Sequence, residues 1–392
     1  MKTLKIKADI SKIDYNMKFN IIVFIFLVIS ANQIYGQQEL NLYGNLEFGS
    51  YNVGVKEFVF TDNAGSDHKK INIHLWYPSE KAENEGLKFG DYLNYKNKFN
   101  IAELTQEISI KIGGEKNILP DARLESIINA PVRAFRNSKE VDKKFPLVVW
   151  SSRYETVEYQ NIISEYIASY GYVVAFAEDV PNSPYPWQLP NIEKEESLNR
   201  HVANLNASIH FLKSQKNVDP SKLGLIAWSY AGESAILAQM DNKDIDLVIG
   251  LSAINFSAGV YLGAGLVQKI NLAKLKAPYL ILSQKLGANG RIMTAPDIFS
   301  SMHPDSRYVS FKELAHGNFN AIEGMIPGIL GSQKVQSWSK GGQVAKLGYE
   351  TICEITLFFL EGIFNDGHFD NNISSLVKRL PAEFIATDSP NN

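Results

Sequence analysis

Short apolar segments alternate with amphipathic ones through the middle of the chain, and this alternation constrains the fold more than any other feature. Continuous apolar segments, typical of buried strands, occupy residues 146–150, 172–177, 223–226, 247–251, 279–282 and 308–311. Between two of them, a predicted helix at residues 194–214 carries one apolar stripe, formed by Leu198, Val202, Leu205, Ile209 and Leu212. Apolar strands joined by helices favour a mostly parallel central sheet with helices on both faces. The predicted fold class is therefore α/β.

The region before this alternation has the pattern of an antiparallel sheet edge. Residues 55–60 and 71–77 are rich in β-branched and aromatic side chains and flank a polar turn, so they predict a hairpin at the N-terminal edge. Residues 80–144 are mixed, with weak helical patterns at 101–110 and 121–129, and we interpret them as an insertion. After the last strand, a strongly apolar helix is predicted at residues 349–364.

An apolar run near the N-terminus predicts export. Residues 21–29 are too few to span a membrane, but they match the hydrophobic region of a secretory signal, with cleavage expected after Gly36. Met1 and Met17 are both possible starts, and an uncleaved N-terminal anchor is the alternative interpretation. Without residues 1–36 the chain is predicted to be a single domain, 37–392, with insertions at about 80–144 and 320–348. We expect a periplasmic or secreted protein with no stable membrane span.

Composition excludes several classes of protein. Of the 392 residues, 45% are hydrophobic and 21% are charged, which is typical of a globular chain and not of a disordered one. Cys353 is the single cysteine, so an intramolecular disulfide framework is excluded. The net charge of −3, without a polybasic tract, is not the electrostatic footprint of a nucleic-acid-binding protein. We therefore expect no nucleic-acid partner.

A serine directly follows the predicted strand at residues 223–226. The segment Ala227-Trp228-Ser229-Tyr230-Ala231-Gly232 separates this strand from a helix. That order is typical of a nucleophile elbow, in which the serine hydroxyl is exposed above the sheet and the helix N-terminus faces the developing oxyanion. Gly is usual two residues before and after the serine, and alanines replace it here. Ser229 is the predicted nucleophile; the alternative is a strand-to-helix turn with an incidental serine.

One histidine is placed to serve as the base for this serine. Of the seven histidines, His316 alone follows the last predicted parallel strand, which is where this fold presents its base. The order serine before histidine is also that of α/β-hydrolases. We predict that His316 is the general base; the alternative is a histidine in a solvent-exposed loop.

Several segments, in their order along the chain, resemble a known family. They are residues 51–55, 75–78, 145–151 and 170–174, the elbow, and His316-Gly317-Asn318-Phe319. Together they resemble the plasma platelet-activating-factor acetylhydrolase and dienelactone-hydrolase-like group of α/β-hydrolases, over roughly residues 48 to 365. The resemblance implies the α/β-hydrolase fold and a Ser-His-Asp carboxylic ester hydrolase with no metal and no other cofactor. The substrate class it implies is a small ester or lipid-like molecule, such as a short-acyl or phospholipid-type ester.

The resemblance also implies two backbone donors for an oxyanion hole. The family follows its first central strand with Ser-His-Gly, whereas this chain has Ser151-Ser152-Arg153, and Tyr154 then stands at the donor position. Tyr230, directly after the nucleophile, supplies the second donor. Backbone N–H groups survive a change of side chain, so both positions stay candidates. Loss of one such donor costs about 3 to 4 kcal/mol of transition-state stabilisation.

The acid of the triad is missing from its expected places. Neither Ser252-Ala253-Ile254-Asn255, after one strand, nor residues 283–289, after the next, contains a carboxylate. Asp297 is the nearest candidate, but it also fits an acid at a helix N-terminus. Asn255 is a neutral alternative, and Glu178 and Asp179 end an earlier strand.

Two functions therefore stay open. The first is an exported serine hydrolase of carboxylic esters, and the second is a catalytically degenerate α/β-hydrolase-fold protein that acts as a binding module. Loss of the acid from a complete triad lowers turnover by about 10⁴-fold, which is why the second function stays in view.

Three further segments of the sequence carry weaker patterns. Tyr185 and Trp187 follow a strand and are candidates for an apolar acyl pocket. Residues 320–348 are rich in glycine and are predicted to be either a lid or a surface loop. Residues 366–370 have an Asp-x-His-x-Asp pattern, which we interpret as an ordinary polar loop and not as a metal site.

Overall fold

Six parallel strands form the centre of the sheet in the computed structural model of the protein. The structure describes residues 40–62, 69–80, 86–93, 121–152, 155–178, 191–253, 271–284, 302–331 and 341–389. The strands are β1 (Asn52–Asp62), β2 (Lys69–Ser79), β3 (Ala134–Arg136), β4 (Phe145–Ser151), β5 (Val173–Glu178), β6 (Val218–Trp228), β7 (Leu247–Leu251), β8 (Tyr279–Gln284), β9 (Arg307–Phe311) and β10 (Ile385–Asp388). Their order across the sheet is β10-β9-β8-β7-β6-β4-β5-β2-β1-β3. The six strands β4 to β9 are parallel to one another.

Helices connect and cover these strands. They are α1 (Phe89–Leu93), α2 (Asp121–Ile128), α3 (Asn161–Ser169), α4 (Asn191–Lys213), α5 (Ala231–Asp241), α6 (Ile326–Ile329), α7 (Gly342–Phe364) and α8 (Phe369–Val377). The central strands are almost wholly buried because their side chains pack against helices on both faces, as the continuous apolar segments predict. Each parallel strand therefore ends at the same edge of the sheet, which is where ligands bind in such folds.

The predicted N-terminal hairpin forms, but it is not the outermost element of the sheet. Strands β1 and β2 are antiparallel, and β2 also pairs antiparallel with β5. Strand β3, from the segment that we interpreted as an insertion, pairs with β1 and lies outside the hairpin. Three residues are too few to give a strand pattern in sequence, so β3 is recognised from its pairing with β1.

The C-terminal part of the chain adds elements that the sequence did not predict. Helix α7 begins at Gly342, earlier than expected, and it is followed by α8 and by β10, which pairs antiparallel with β9. The early turns of α7 include Gly348, where a Cβ atom would lie 2.4 Å from the Leu314 side chain. A glycine needed for this close contact weakens the helical pattern, which explains the late predicted start.

Part of the glycine-rich segment 320–348 is packed inside the molecule. Residues 321–325 form a π-helical turn that continues into α6, and Ile322, Met325 and Ile326 are fully buried. Helix α6 and this turn both contact α7. Residues 320–331 therefore differ from the surface loop considered above, and residues 332–340 lie outside the described residues.

The described residues from Asn41 onward belong to one compact unit, Asn41–Asn392. The predicted signal segment, 1–36, lies outside the described residues. Among the helices that the structure describes, none is both long and apolar enough to cross a membrane.

Candidate active site

Three side chains that follow the carboxyl ends of parallel strands meet at one point. Ser229 follows β6, Ser252 follows β7 and His316 follows β9. The Ser229 Oγ lies 3.0 Å from Nε2 of His316, and the Ser252 Oγ lies 2.8 Å from Nδ1 of the same ring. Both distances are those of hydrogen bonds. The structure therefore brings together the predicted nucleophile and base, with a second serine on the far side of the imidazole.

Ser229 has the backbone conformation of a nucleophile elbow. Its φ is 55°, in the left-handed region that residues other than glycine rarely adopt. Ala227 and Ala231, in place of the usual glycines, are fully buried and fit between the strand and helix α5. The neighbouring strand adds a tie, because the Ser151 hydroxyl donates a hydrogen bond of 3.0 Å to the carbonyl of Ala231. Ser151, which the sequence analysis noted only as part of a segment resembling the family, thus supports the elbow.

Two buried asparagines hold the loop that carries His316. The Asn318 side chain accepts a hydrogen bond from the Ala315 N–H and donates one to the Glu323 carbonyl, both at 3.0 Å. Asn320 donates to the carbonyl of Gly317 and accepts from the Glu323 N–H. These bonds fasten both sides of the histidine to the buried turn at residues 321–325. The His-Gly-Asn-Phe segment was identified in the sequence, but the pattern does not show which residues the Asn318 side-chain amide binds.

An aromatic stack covers one face of the His316 ring. The Trp228 indole is nearly parallel to the imidazole, at 13°, with ring centroids 5.3 Å apart. The Tyr159 ring also stacks on the indole, with ring centroids 6.0 Å apart. Burial lowers the pKa of His316 from 6.5 to about 4, because an imidazolium would lose its hydration there. The His316 imidazole is therefore neutral at ordinary pH.

Ser252 occupies the position at which a triad acid would contact the histidine. It is 3% exposed, its φ is 43°, and its N–H donates to the carbonyl of Leu282 at 2.7 Å. Among the described residues, no carboxylate pairs with His316. A carboxylate accepts hydrogen bonds only, whereas a hydroxyl both donates and accepts. The imidazole thus has a neutral partner at Nδ1.

The other predicted site residues have different outcomes. Tyr230 is the N-cap of helix α5, directly after the nucleophile, as the elbow requires. Glu178 lies at the end of β5, where its carboxylate accepts a hydrogen bond from Asn72 at 3.4 Å. Tyr154, Asp297, Asn255, Asp179, Tyr185 and Trp187 all lie outside the described residues.

The Asp-x-His-x-Asp segment serves a structural contact. The Asp370 carboxylate accepts two hydrogen bonds of 2.9 Å from the Arg307 guanidinium, which holds the pKa of that carboxyl below its usual value. Within the described part of the chain, no group of three His, Cys, Asp or Glu side chains is arranged to hold a metal ion.

Comparison with known proteins gives a likeness in fold. No family model and no curated protein matches this chain. Among solved structures, the chain is similar to a ferulic acid esterase from Streptomyces cinnamoneus, with a TM-score of 0.58 and 15% sequence identity over 86% of this chain and 96% of that one. At this identity the likeness concerns the fold. With the strand order and the covering helices, it gives the chain an α/β-hydrolase fold, as predicted.

Proposed function

We propose that this protein is an exported serine hydrolase that cleaves carboxylic esters. The observation that carries the proposal is the 3.0 Å contact between the Ser229 hydroxyl and Nε2 of His316, made by a serine with left-handed φ on a strand-to-helix turn. A strained serine at hydrogen-bond distance from a neutral imidazole is the arrangement that nucleophilic acyl transfer requires. The ferulic acid esterase with the similar fold supports ester hydrolysis in general.

The proposed reaction has two stages, acylation of Ser229 and hydrolysis of the acyl-serine. His316 Nε2 takes the proton of the Ser229 hydroxyl while the serine oxygen forms a bond to the acyl carbon. The C–O bond to the alcohol then breaks, and the alcohol oxygen takes the proton from Nε2. Water next attacks the acyl carbon of the acyl-serine and gives a proton to Nε2. The bond between the acyl carbon and the Ser229 oxygen then breaks, the carboxylic acid product leaves, and Ser229 takes its proton back from Nε2.

The oxyanion is held by backbone donors. The Tyr230 N–H follows the nucleophile at the start of helix α5, whose N-terminus carries a partial positive charge. The second donor in this proposal is Tyr154, as the acetylhydrolase resemblance implies. The same resemblance proposes short-acyl or phospholipid-type esters as substrates, with no cofactor.

A covalent probe tests the proposal directly. Wild-type protein is treated with a fluorophosphonate, digested, and searched for the labelled peptide, with turnover of 4-nitrophenyl butyrate measured in parallel. Label on Ser229, and turnover lost in Ser229→Ala but kept in the matched Ser234→Ala, support the proposal. Ser234 is a suitable control because it is a buried serine in helix α5, which directly follows the turn that carries Ser229. Absence of label from Ser229 in the folded wild type would refute it.

A catalytically degenerate binding protein is the second candidate function. The specific observation in its favour is that Nδ1 of His316 contacts a hydroxyl and not a carboxylate. This candidate predicts turnover at the level of Ser229→Ala, together with saturable binding of an ester that is recovered intact. Hydrolysis that depends on Ser229 rejects it.

A further inference from the structure

We propose that Ser252 is a neutral positioning residue that replaces the triad acid, and that the site therefore favours esters of acidic alcohols, such as phenols and enols. This inference rests on the proposed function, since it assigns a partner to the base and a substrate class to the same site.

The geometry makes Ser252 a built part of the site. Its Oγ lies 2.8 Å from Nδ1 of His316, on the side of the ring opposite Ser229. Its backbone is fixed by the hydrogen bond to Leu282 and by its position at the end of the buried strand β7. Its positive φ aims the side chain out of the strand direction. Ser252 is thus held against the ring by the sheet.

A hydroxyl at this position allows both neutral tautomers of the imidazole, whereas a carboxylate allows one. When Ser252 accepts from Nδ1–H, Nε2 is bare and can take the proton of Ser229. When the Ser252 hydroxyl instead donates to Nδ1, the proton lies on Nε2 and the base is blocked. A carboxylate permits only the first state, because it cannot donate. Ser252 therefore orients the ring, but it does not fix the tautomer by charge.

The same substitution limits how much charge the histidine can carry. An imidazolium forms as Ser229 attacks, and no carboxylate among the described residues stabilises it. The Trp228 stack also keeps one face of the ring away from water. A more electrophilic ester reaches the transition state of attack with less proton transfer from Ser229 to Nε2. A phenolate, whose conjugate acid has a pKa of about 10, leaves as the anion, and the proton on Nε2 passes to it once the C–O bond has broken. Esters of acidic alcohols therefore require less positive charge on His316 than alkyl esters do.

Four variants test this role. Ser252→Ala is compared with Ser306→Ala. Ser306 is also a buried serine, and its hydroxyl accepts a hydrogen bond from the Tyr279 N–H, at the amino ends of strands β8 and β9 and away from the site. Ser252→Asp supplies the missing charge, and Ser252→Asn supplies a similar shape without charge. Asp and Asn also tolerate a positive φ, so the backbone at this position suits them. Each variant is assayed with phenyl acetate and with ethyl acetate, which share one acyl group.

The expected results separate charge from structure. Ser252→Ala lowers kcat by about three- to tenfold, the value of a neutral hydrogen bond, whereas Ser306→Ala does not. Ser252→Asp raises the ethyl acetate rate by about tenfold and the phenyl acetate rate by less, and Ser252→Asn gives neither gain. In ¹⁵N NMR, Ser252→Asp converts His316 wholly to the Nδ1–H tautomer.

Failure of this inference and failure of the proposed function give different results. Activity that depends on Ser229, with equal responses of Ser252→Ala and Ser306→Ala, would overturn the role of Ser252 alone. Equal responses of the two acetates to Ser252→Asp would overturn the substrate class. Wild-type activity equal to that of Ser229→Ala on both esters would overturn the proposed function, and the inference with it.

Discussion

Removal of the Trp228 indole should move the pH profile of the proposed ester hydrolysis toward neutrality. The indole lies 5.3 Å from the His316 ring, centroid to centroid, and burial lowers the pKa of His316 from 6.5 to about 4. That shift corresponds to about 3 kcal/mol of disfavoured charge. In Trp228→Ala one face of the ring gains water, so the pKa should rise by about one unit or more.

The assay is kcat/KM for 4-nitrophenyl butyrate, measured from about pH 4 to about pH 9, because this ratio reports the pKa of the free enzyme. A protonated imidazole cannot accept the serine proton, so activity falls as pH drops through the pKa of His316. The wild type should stay fully active down to about pH 5, with its midpoint near the pKa of about 4. Trp228→Ala should lose activity at a higher pH.

Tyr159→Ala is the control, because it removes the other ring that stacks on the indole and leaves the indole stacked on the imidazole. We expect its midpoint to move less than that of Trp228→Ala. A wild-type midpoint near 6.5, the ordinary value of histidine, would refute the burial argument. An unchanged midpoint in Trp228→Ala would show that the indole is not the cause.

Four further predictions concern stability, the histidine loop, the C-terminal contact and export. Burial raises the pKa of Glu165 from 4.5 to about 7, so the stability gained from its protonated form is complete below about 4.5 and is lost as pH rises through 7. In urea unfolding, the free energy of unfolding of the wild type should fall by about 3 kcal/mol between about pH 4.5 and about pH 7, and that of Glu165→Gln should not. Equal pH dependence of the two proteins would contradict this prediction. Asn318→Ala should destabilise the fold by about 1 to 3 kcal/mol and lower kcat more than thermal stability explains; unchanged kcat would contradict the loop's role. Asp370→Asn should cost at most about 1 kcal/mol and leave turnover intact, because its pair with Arg307 is at the surface. N-terminal sequencing of exported protein should begin at Gln37, and retention of residues 1–36 would favour the anchor.

The central sheet could be predicted because its strands are buried on both faces. Residues 247–251 are the clearest example, since the predicted and observed bounds of that strand are the same. Elements at the periphery give weaker patterns. Strand β10 has only four residues and pairs on one side, with β9, and the buried turn at 321–325 is a π-helical turn with a period that amphipathic patterns do not represent. Their positions depend on contacts with distant residues.

Ser252 was not predicted as the partner of His316 Nδ1, because a carboxylate and not a hydroxyl was expected at that position. The sequence interpretation sought a carboxylate, with Asp297 as the nearest candidate, Asn255 as a neutral alternative, and Glu178 and Asp179 at the end of an earlier strand. The signal for Ser252 was present, because it is the first residue after a strand that adjoins the nucleophile strand, and such positions turn toward the carboxyl edge. What a one-dimensional pattern lacks is the positive φ that directs this side chain to the ring. The backbone at residue 252 places its side chain against Nδ1 of His316 although the side chain carries no charge. Comparison of Ser252→Asp with Ser252→Asn therefore measures what a negative charge adds to this contact.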